Sequence, residues 1–296
     1  MLTRYLIAIA ILLSACAPAT QISAPGTPAA IPDKVGIQFS FRPMAFDGQY
    51  LWQIVREPGK FHLSAQDLHG QVIKEVPLTN QALPVHRSLA WGENSFWMLD
   101  QHNTLFKLSS DGKQTSEIKL PELTAPGGLE QLVWSGKQLW VLHRSYLEAD
   151  GSIVPTRFYQ IDPSGGKVLS RLEVKDPAFN FAHTNLAAGP DAFYVARGHI
   201  FEEKSNLLYK IQRADAAVTT TPLGRIHTGM TSLFRYQDAL IAVEMLDVDN
   251  CGEFCRGQLL KLPTGPSGSK SATQVSPSVS PAAASPAPNL PPAQAR

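Results

Sequence analysis

Apolar and polar positions alternate along the middle of this chain in short runs, broken by turn residues, and the runs recur. Phe46-Asp47-Gly48-Gln49-Tyr50-Leu51-Trp52-Gln53-Ile54-Val55 joins a polar turn to an apolar strand. The same arrangement returns at Trp91-Gly92-Glu93-Asn94-Ser95-Phe96-Trp97 and at Trp134-Ser135-Gly136-Lys137-Gln138-Leu139-Trp140. It returns again at Ala188-Gly189-Pro190-Asp191-Ala192-Phe193-Tyr194 and at Arg235-Tyr236-Gln237-Asp238-Ala239-Leu240-Ile241. Each unit is a Gly, Asn, Asp or Pro turn followed by a strand centred on an aromatic or β-branched residue. The centres Trp52, Trp97, Trp140, Tyr194 and Ile241 fall about 45 residues apart, with one longer interval. That is the spacing of four-stranded propeller blades.

Each repeat continues alike. A second strand carries a triplet such as Phe106-Lys107-Leu108, Tyr159-Gln160-Ile161, Tyr209-Lys210-Ile211 or Leu260-Lys261-Leu262, and after a turn a third strand follows, as in Glu117-Ile118-Lys119-Leu120. With the short strand ahead of the first turn, four strands result, A to D from axis to rim. The fifth repeat lacks strand D, because Pro263 and a polar tail follow Leu262. The segment 35–41 alternates apolar and polar residues ahead of the first repeat and has the right length to fill that place. The sequence therefore predicts an all-β fold, a five-bladed β-propeller over 35–263 whose ring is closed by the N-terminal strand, leaving no open sheet edge between blades. A larger ring is the alternative, and about 230 residues leave little room for it. In turn placement the repeats resemble NHL and quinoprotein-like propellers. None of those families' signature motifs is present, so the resemblance carries over no functional residue.

The flanks read differently. Residues 17–34 are rich in Ala, Pro, Thr and Ser, and 264–296 are almost entirely Gly, Ser, Ala and Pro with few large apolar residues. Such segments bury too little apolar surface to offset their ordering entropy, and both are expected to act as tethers or tails. The formal charge is +1, and Arg4 supplies it, so the chain beyond the first fifteen residues is neutral. Neutrality argues against nucleic acid or an anionic lipid surface as partner.

At the N-terminus, Met1-Leu2-Thr3-Arg4 precedes an apolar run from Tyr5 to Leu13, then two small residues and a cysteine. This is the layout of a secretory signal, too short to span a bilayer. Leu13-Ser14-Ala15-Cys16 resembles the lipobox of bacterial lipoproteins. The resemblance implies a signal peptide over 1–15, acylation of Cys16 (palmitate among the chains) and a lipidated tether over 16–34. It also implies a place in the bacterial cell envelope, at the outer membrane of a Gram-negative host, since Ala17 and not Asp follows the cysteine, and otherwise on the outer face of the plasma membrane. An ordinary signal peptide with an incidental cysteine is the other reading. Of the three cysteines, Cys251 and Cys255 then remain as an even pair in an oxidising compartment.

In a four-stranded blade the A–B and C–D turns share one face, and the B–C and D–A connections share the other. The first set is tight here, and the second is long at 79–87, 121–131, 143–156, 176–185, 197–205 and 245–257. Loops held by a rigid scaffold carry function, so a site is expected on the long-loop face, toward the axis. Its candidate residues are His86, Arg87, His143, Arg144, His183, Asn185, Arg197 and Glu244. Histidines converging on an axis could hold a divalent ion or act as acid and base, and they could equally cap strand ends. Cys251 and Cys255 flank Gly252-Glu253-Phe254, a spacing that admits a small disulfide loop. Zinc would need two further ligands, and a calcium loop through Asp247, Asp249, Asn250 and Glu253 lacks its closing glutamate. No GxSxG, HExxH, Walker or GxGxxG pattern is present. The residues favour a lipid-anchored module or scaffold binding a protein, peptide or glycan, without a resident cofactor or metal. A lactonase- or lyase-like enzyme using His86, His183 and Glu244 around a divalent ion is the alternative, and a purely structural envelope protein is the third.

Overall fold

In the strand Ser95–Asp100 every residue is buried. Strands this uniformly apolar fold as the middle of a sheet covered on both faces. The computed structural model supplies both covers. It describes residues 35–39, 44–57, 60–80, 86–123, 129–148, 150–175, 185–197, 207–223, 230–246 and 255–262. The signal segment, Cys16, both flanking tracts, His183 and Cys251 lie outside the described residues.

Five antiparallel four-stranded sheets are arranged as five blades. Blade one is β2 (Met44–Phe46), β3 (Leu51–Glu57), β4 (Lys60–Gln66) and β5 (Val72–Pro77). Blade two is β6 (His86–Gly92), β7 (Ser95–Asp100), β8 (Thr104–Ser109) and β9 (Gln114–Lys119). Blade three is β10 (Leu129–Ser135), β11 (Gln138–His143), β14 (Arg157–Ile161) and β15 (Val168–Glu173). Between its second and third strands it carries a small hairpin, β12 (Tyr146–Leu147) with β13 (Ile153–Val154). Blade four is β16 (Asn185–Ala188), β17 (Ala192–Arg197), β18 (Leu207–Gln212) and β19 (Val218–Pro222). Blade five is β20 (Met230–Tyr236), β21 (Ala239–Met245), β22 (Cys255–Leu262) and, from the other end of the chain, β1 (Val35–Phe39). The expected closure is therefore present. β1 runs antiparallel to β22 from Val35 opposite Leu259 to Phe39 opposite Cys255.

The register repeats with the sequence. Trp52, Trp97, Trp140, Tyr194 and Ile241 pair with Ala45, Ala90, Val133, Ala187 and Phe234, the same step of the first two strands in each blade. Among the described residues the buried apolar side chains form five clusters, one in each gap between neighbouring blades. Alternation along a strand feeds both gaps. Phe96 and Met98 pack toward blade one, while Trp97 and Leu99 pack toward blade three. Trp52, Trp97 and Trp140 pack between blades, each in a separate cluster.

The tight turns are built by their own side chains. Asp47 Oδ1 accepts from the amides of Gln49 and Tyr50, both at 2.7 Å, and its Oδ2 accepts from the Trp52 indole at 2.6 Å. Asp67, Asp162 and Asp215 each accept from the amide two residues on. Aspartate does this where its short side chain mimics a backbone turn. Glu93 and Asn94 have φ of 52° and 54°, as a two-residue hairpin between right-twisted strands requires. At Gly92 the constraint is contact. A Cβ there would lie 2.1 Å from the Trp134 indole of the next blade.

Candidate functional site

The first strands of the blades surround a central channel enclosing about 160 Å³, lined at successive levels by all five. The inner edge of such a strand has no ladder partner, so its backbone groups need others. At the long-loop end three side chains supply them. Ser88 Oγ accepts from the Leu132 amide at 2.7 Å, and Ser232 Oγ accepts from the Met44 amide at 3.2 Å. Asn185 Nδ2 donates to the Met230 carbonyl at 2.8 Å. Each bond runs from one blade to the next. Gln131, 3.5 Å from Ser88 Oγ, and Ser232 line the channel, and Ser88 and Asn185 stand at the same step of their strands, so the four form a polar collar at this end.

Local irregularity positions the collar. β6, β10 and β20 each contain a register shift at their start, between His86 and Ser88, Leu129 and Gln131, and Met230 and Ser232. A bulge re-aims the side chain that follows it. Of the collar, the sequence analysis named Asn185 alone. The usable signal was a polar residue directly before an apolar pair, as in Ser88-Leu89-Ala90, Gln131-Leu132-Val133, Asn185-Leu186-Ala187 and Ser232-Leu233-Phe234.

The remaining candidates fall at the ends of strands on the same face. Asp100, His143, Arg197 and Glu244 occupy one equivalent position, the third residue after the strand centre in blades two to five. Arg197 closes β17, and His86 and Arg87 open β6, with the His86 backbone opposite Asp100. Asp100 Oδ1 accepts from the amides of His102 at 2.8 Å and Thr104 at 2.7 Å, which binds it to its own turn. Glu244 is 2 % exposed and accepts a hydrogen bond from Gln258, its cross-strand partner. Glu244 is also paired with Met230, so Asn185 and Glu244 stand on either side of that residue.

His143 is 1 % exposed, with its ring edge-on to Tyr146 at 5.7 Å and to Tyr159 at 6.2 Å. Tyr146 comes from the hairpin of blade three, which sets its ring beside the buried His143. Beside it, Arg157 Nε meets Glu173 Oε2 at 3.0 Å. Burial opposes the guanidinium charge, but hydrogen bonds with Glu173 and Tyr159 outweigh burial and raise its pKa above the ordinary value. Arg144 Nε lies 3.6 Å from Glu130 Oε1, and this half-exposed pair frames the start of the hairpin. Among the described residues no three His, Cys, Asp or Glu side chains come together in a way that could hold a metal ion.

The two connections between the second and third strands of blades one and two are short, at Glu57–Lys60 and 101–103. The long connections of this face therefore gather on blades three to five and between blades. Cys255 starts β22 on the same face and is buried.

No protein-family model and no curated protein matches this chain. Among solved structures it is similar to the crystal structure of Myxococcus xanthus glutaminyl cyclase, with 12% identity and a TM-score of 0.49 over 79% of this chain and 97% of that one. It is also similar to the computationally designed Ika4 protein, with 9% identity and a TM-score of 0.36 over 64% of this chain and 97% of that one. Likeness at these values says nothing about what this chain binds. The fold itself rests on the five sheets described above.

Proposed function

We propose that this protein is a lipid-anchored envelope module that binds a protein, peptide or glycan on its long-loop face. The observation that carries the reading is the asymmetry of the ring. One face is built from short turns that saturate their own polar groups, and the other holds the polar collar and the strand ends from which the long connections depart. Scaffolded loops around a concave mouth are where binding residues concentrate.

The strand directions support presentation of that face. β1 begins at Val35, opposite Leu259, and β22 ends at Leu262, so the chain enters and leaves blade five on the tight-turn side. Eighteen residues separate Cys16 from Val35. They reach at most about 65 Å. A lipid on Cys16 then holds the tight-turn face nearer the bilayer and leaves the long-loop face outward. A disulfide between Cys251 and Cys255 would pin the last long loop at that face. The small ring it closes adds at most roughly 2 kcal/mol to global stability.

The test places a photo-crosslinking residue at the exposed Gln101, on the long-loop face, or at the exposed Lys137, on the tight-turn face. Capture of one defined envelope component from Gln101 and not from Lys137 is the expected result. Equal capture, or capture from Lys137 alone, rejects the reading. Metal analysis of the same purified chain checks the enzymatic alternative, which requires a stoichiometric ion that is lost in His183→Ala.

A further inference from the structure

The opposite end of the channel has its own lining. Phe46, Trp91, Trp134, Ala188 and Arg235 occupy the same step of the five innermost strands, each paired with the residue just before the centre of its second strand. All five line the channel and all are partly exposed at its tight-turn mouth. Three neighbouring blades thus contribute an arc of aromatic rings, the fourth leaves a gap at alanine, and the fifth supplies a guanidinium.

The arc is fixed by packing behind it. Trp134 stacks on Trp97 at 5.7 Å and 17°, and its indole N–H donates to the Gly136 carbonyl at 2.8 Å. Trp91 packs on Phe96 at 4.6 Å, and Phe46 packs on Phe234 at 4.8 Å. Arg235 crosses toward the gap. Its Nη1 lies 3.6 Å from where a Cβ on Gly189 would stand, next to Ala188. Its ion pair is with Asp238, at 3.3 Å, whose side chain is fully exposed. Such a pair is weak and screened, which leaves the guanidinium fork available to an anion.

We propose that this mouth binds an aromatic monocarboxylate of about benzene size, its ring against the Trp91 and Trp134 arc and its carboxylate on Arg235. Rigid aromatic walls with one convergent charged group are the usual make-up of a small-molecule pocket. A planar guanidinium matches a carboxylate through two parallel hydrogen bonds. The whole channel encloses about 160 Å³, which caps what its mouth can admit. A cavity of about 150 Å³ takes up one benzene. The site lies on the face opposite the proposed macromolecular surface and stands or falls separately from it.

Benzoate is the probe, with benzamide as its neutral isostere, titrated into the ¹⁵N-labelled chain while the tryptophan indole signals are followed. Millimolar benzoate is expected to shift the Trp91 and Trp134 indoles, with benzamide at least ~10-fold weaker because it lacks the charge. Arg235→Gln should remove that difference. Ala188→Leu should fill the gap and abolish the benzoate shifts. The melting temperature of each variant is recorded, and Arg235→Gln, at a part-exposed position, serves if Ala188→Leu does not fold. No shift with benzoate, equal binding of benzamide, or benzoate shifts that persist in Arg235→Gln overturns the proposal.

Discussion

Replacing Ile37 by alanine tests the closure of the ring at a single side chain. Ile37 sits at the centre of β1, is 3 % exposed and belongs to the cluster of Met44, Leu51, Phe234, Ile241 and Leu259 that joins blade five to blade one. Truncating a buried isoleucine to alanine loses the transfer free energy of its methyl groups and leaves a cavity, which together cost about 2–5 kcal/mol. For a domain of this size each kcal/mol lowers Tm by about 2–4 °C. At about 3 kcal/mol the expected fall is about 6–12 °C. Ile153→Ala makes the same chemical change at the tip of the hairpin of blade three, where the side chain is 56 % exposed. It should cost less than about 0.5 kcal/mol. Thermal and urea unfolding of both variants provide the comparison. Truncation after residue 263 is a third arm and should leave Tm unchanged, because that tail has too little apolar surface to bury. If Ile37→Ala melted like Ile153→Ala while the truncation lowered Tm, β1 would not be what closes the ring.

Three further outcomes are expected. Cys16→Ser should give an unprocessed precursor or a soluble product in place of a lipidated membrane form, read by fractionation and mass spectrometry; unmodified mature protein in the cytoplasm would remove the anchor. Gly92→Ala forces the Trp134 indole off its seat, since 2.1 Å admits no contact. It should cost about 1–3 kcal/mol with a changed near-UV tryptophan signal, and an unaltered spectrum and Tm would contradict the packing. Backbone and side-chain hydrogen bonds from Ser164 hold the Asp162 carboxyl below its ordinary value of 3.8. Its contribution to the turn is therefore complete above that pH and is lost as pH falls through the folded-state value. Protection of the Ser164 amide, its exchange rate relative to the intrinsic rate at each pH, should fall on that descent, and protection that stays constant into strong acid would refute it.

How much of this was legible in the sequence depended on how local the determinant is. Blade number, strand order and the register of Trp52, Trp97, Trp140, Tyr194 and Ile241 could be read because each follows from a turn and a period-2 run within ten residues. Closure could be read because one end of the chain lacked a strand that the other end had to spare. The collar could not, since Ser88 and Ser232 bond to amides 44 and 188 positions away, those of Leu132 and Met44 in the neighbouring blades. The hairpin of blade three gave no periodic signal, because its strands are two residues long. That hairpin is also why His143 was read as part of the mouth. Its ring is buried between Tyr146 of the hairpin and Tyr159 of β14.

The innermost strands give a last argument from internal comparison. In five copies of one structural unit, a position that packs well in some copies sets the expectation for the rest. Trp91 and Trp134 each bury much of an indole at the tight-turn mouth, and Phe46 does the same with a phenyl ring. An aromatic ring at the Ala188 position would continue the arc and add apolar burial, each 100 Å² of it contributing roughly 2.5 kcal/mol. The chain instead carries alanine there and arginine at the next step, and forgoes that stabilisation in adjacent blades. Where local consistency is broken without a compensating gain in packing, function is the usual cause. Among the described residues the ion pair of the Arg235 guanidinium is with the exposed Asp238, a pair too weak to account for its position. A ligand between the guanidinium and the aromatic arc accounts for both departures with one cause. On that reasoning an Ala188→Leu chain that folds should have lost benzoate binding, an effect that a purely structural alanine would not produce.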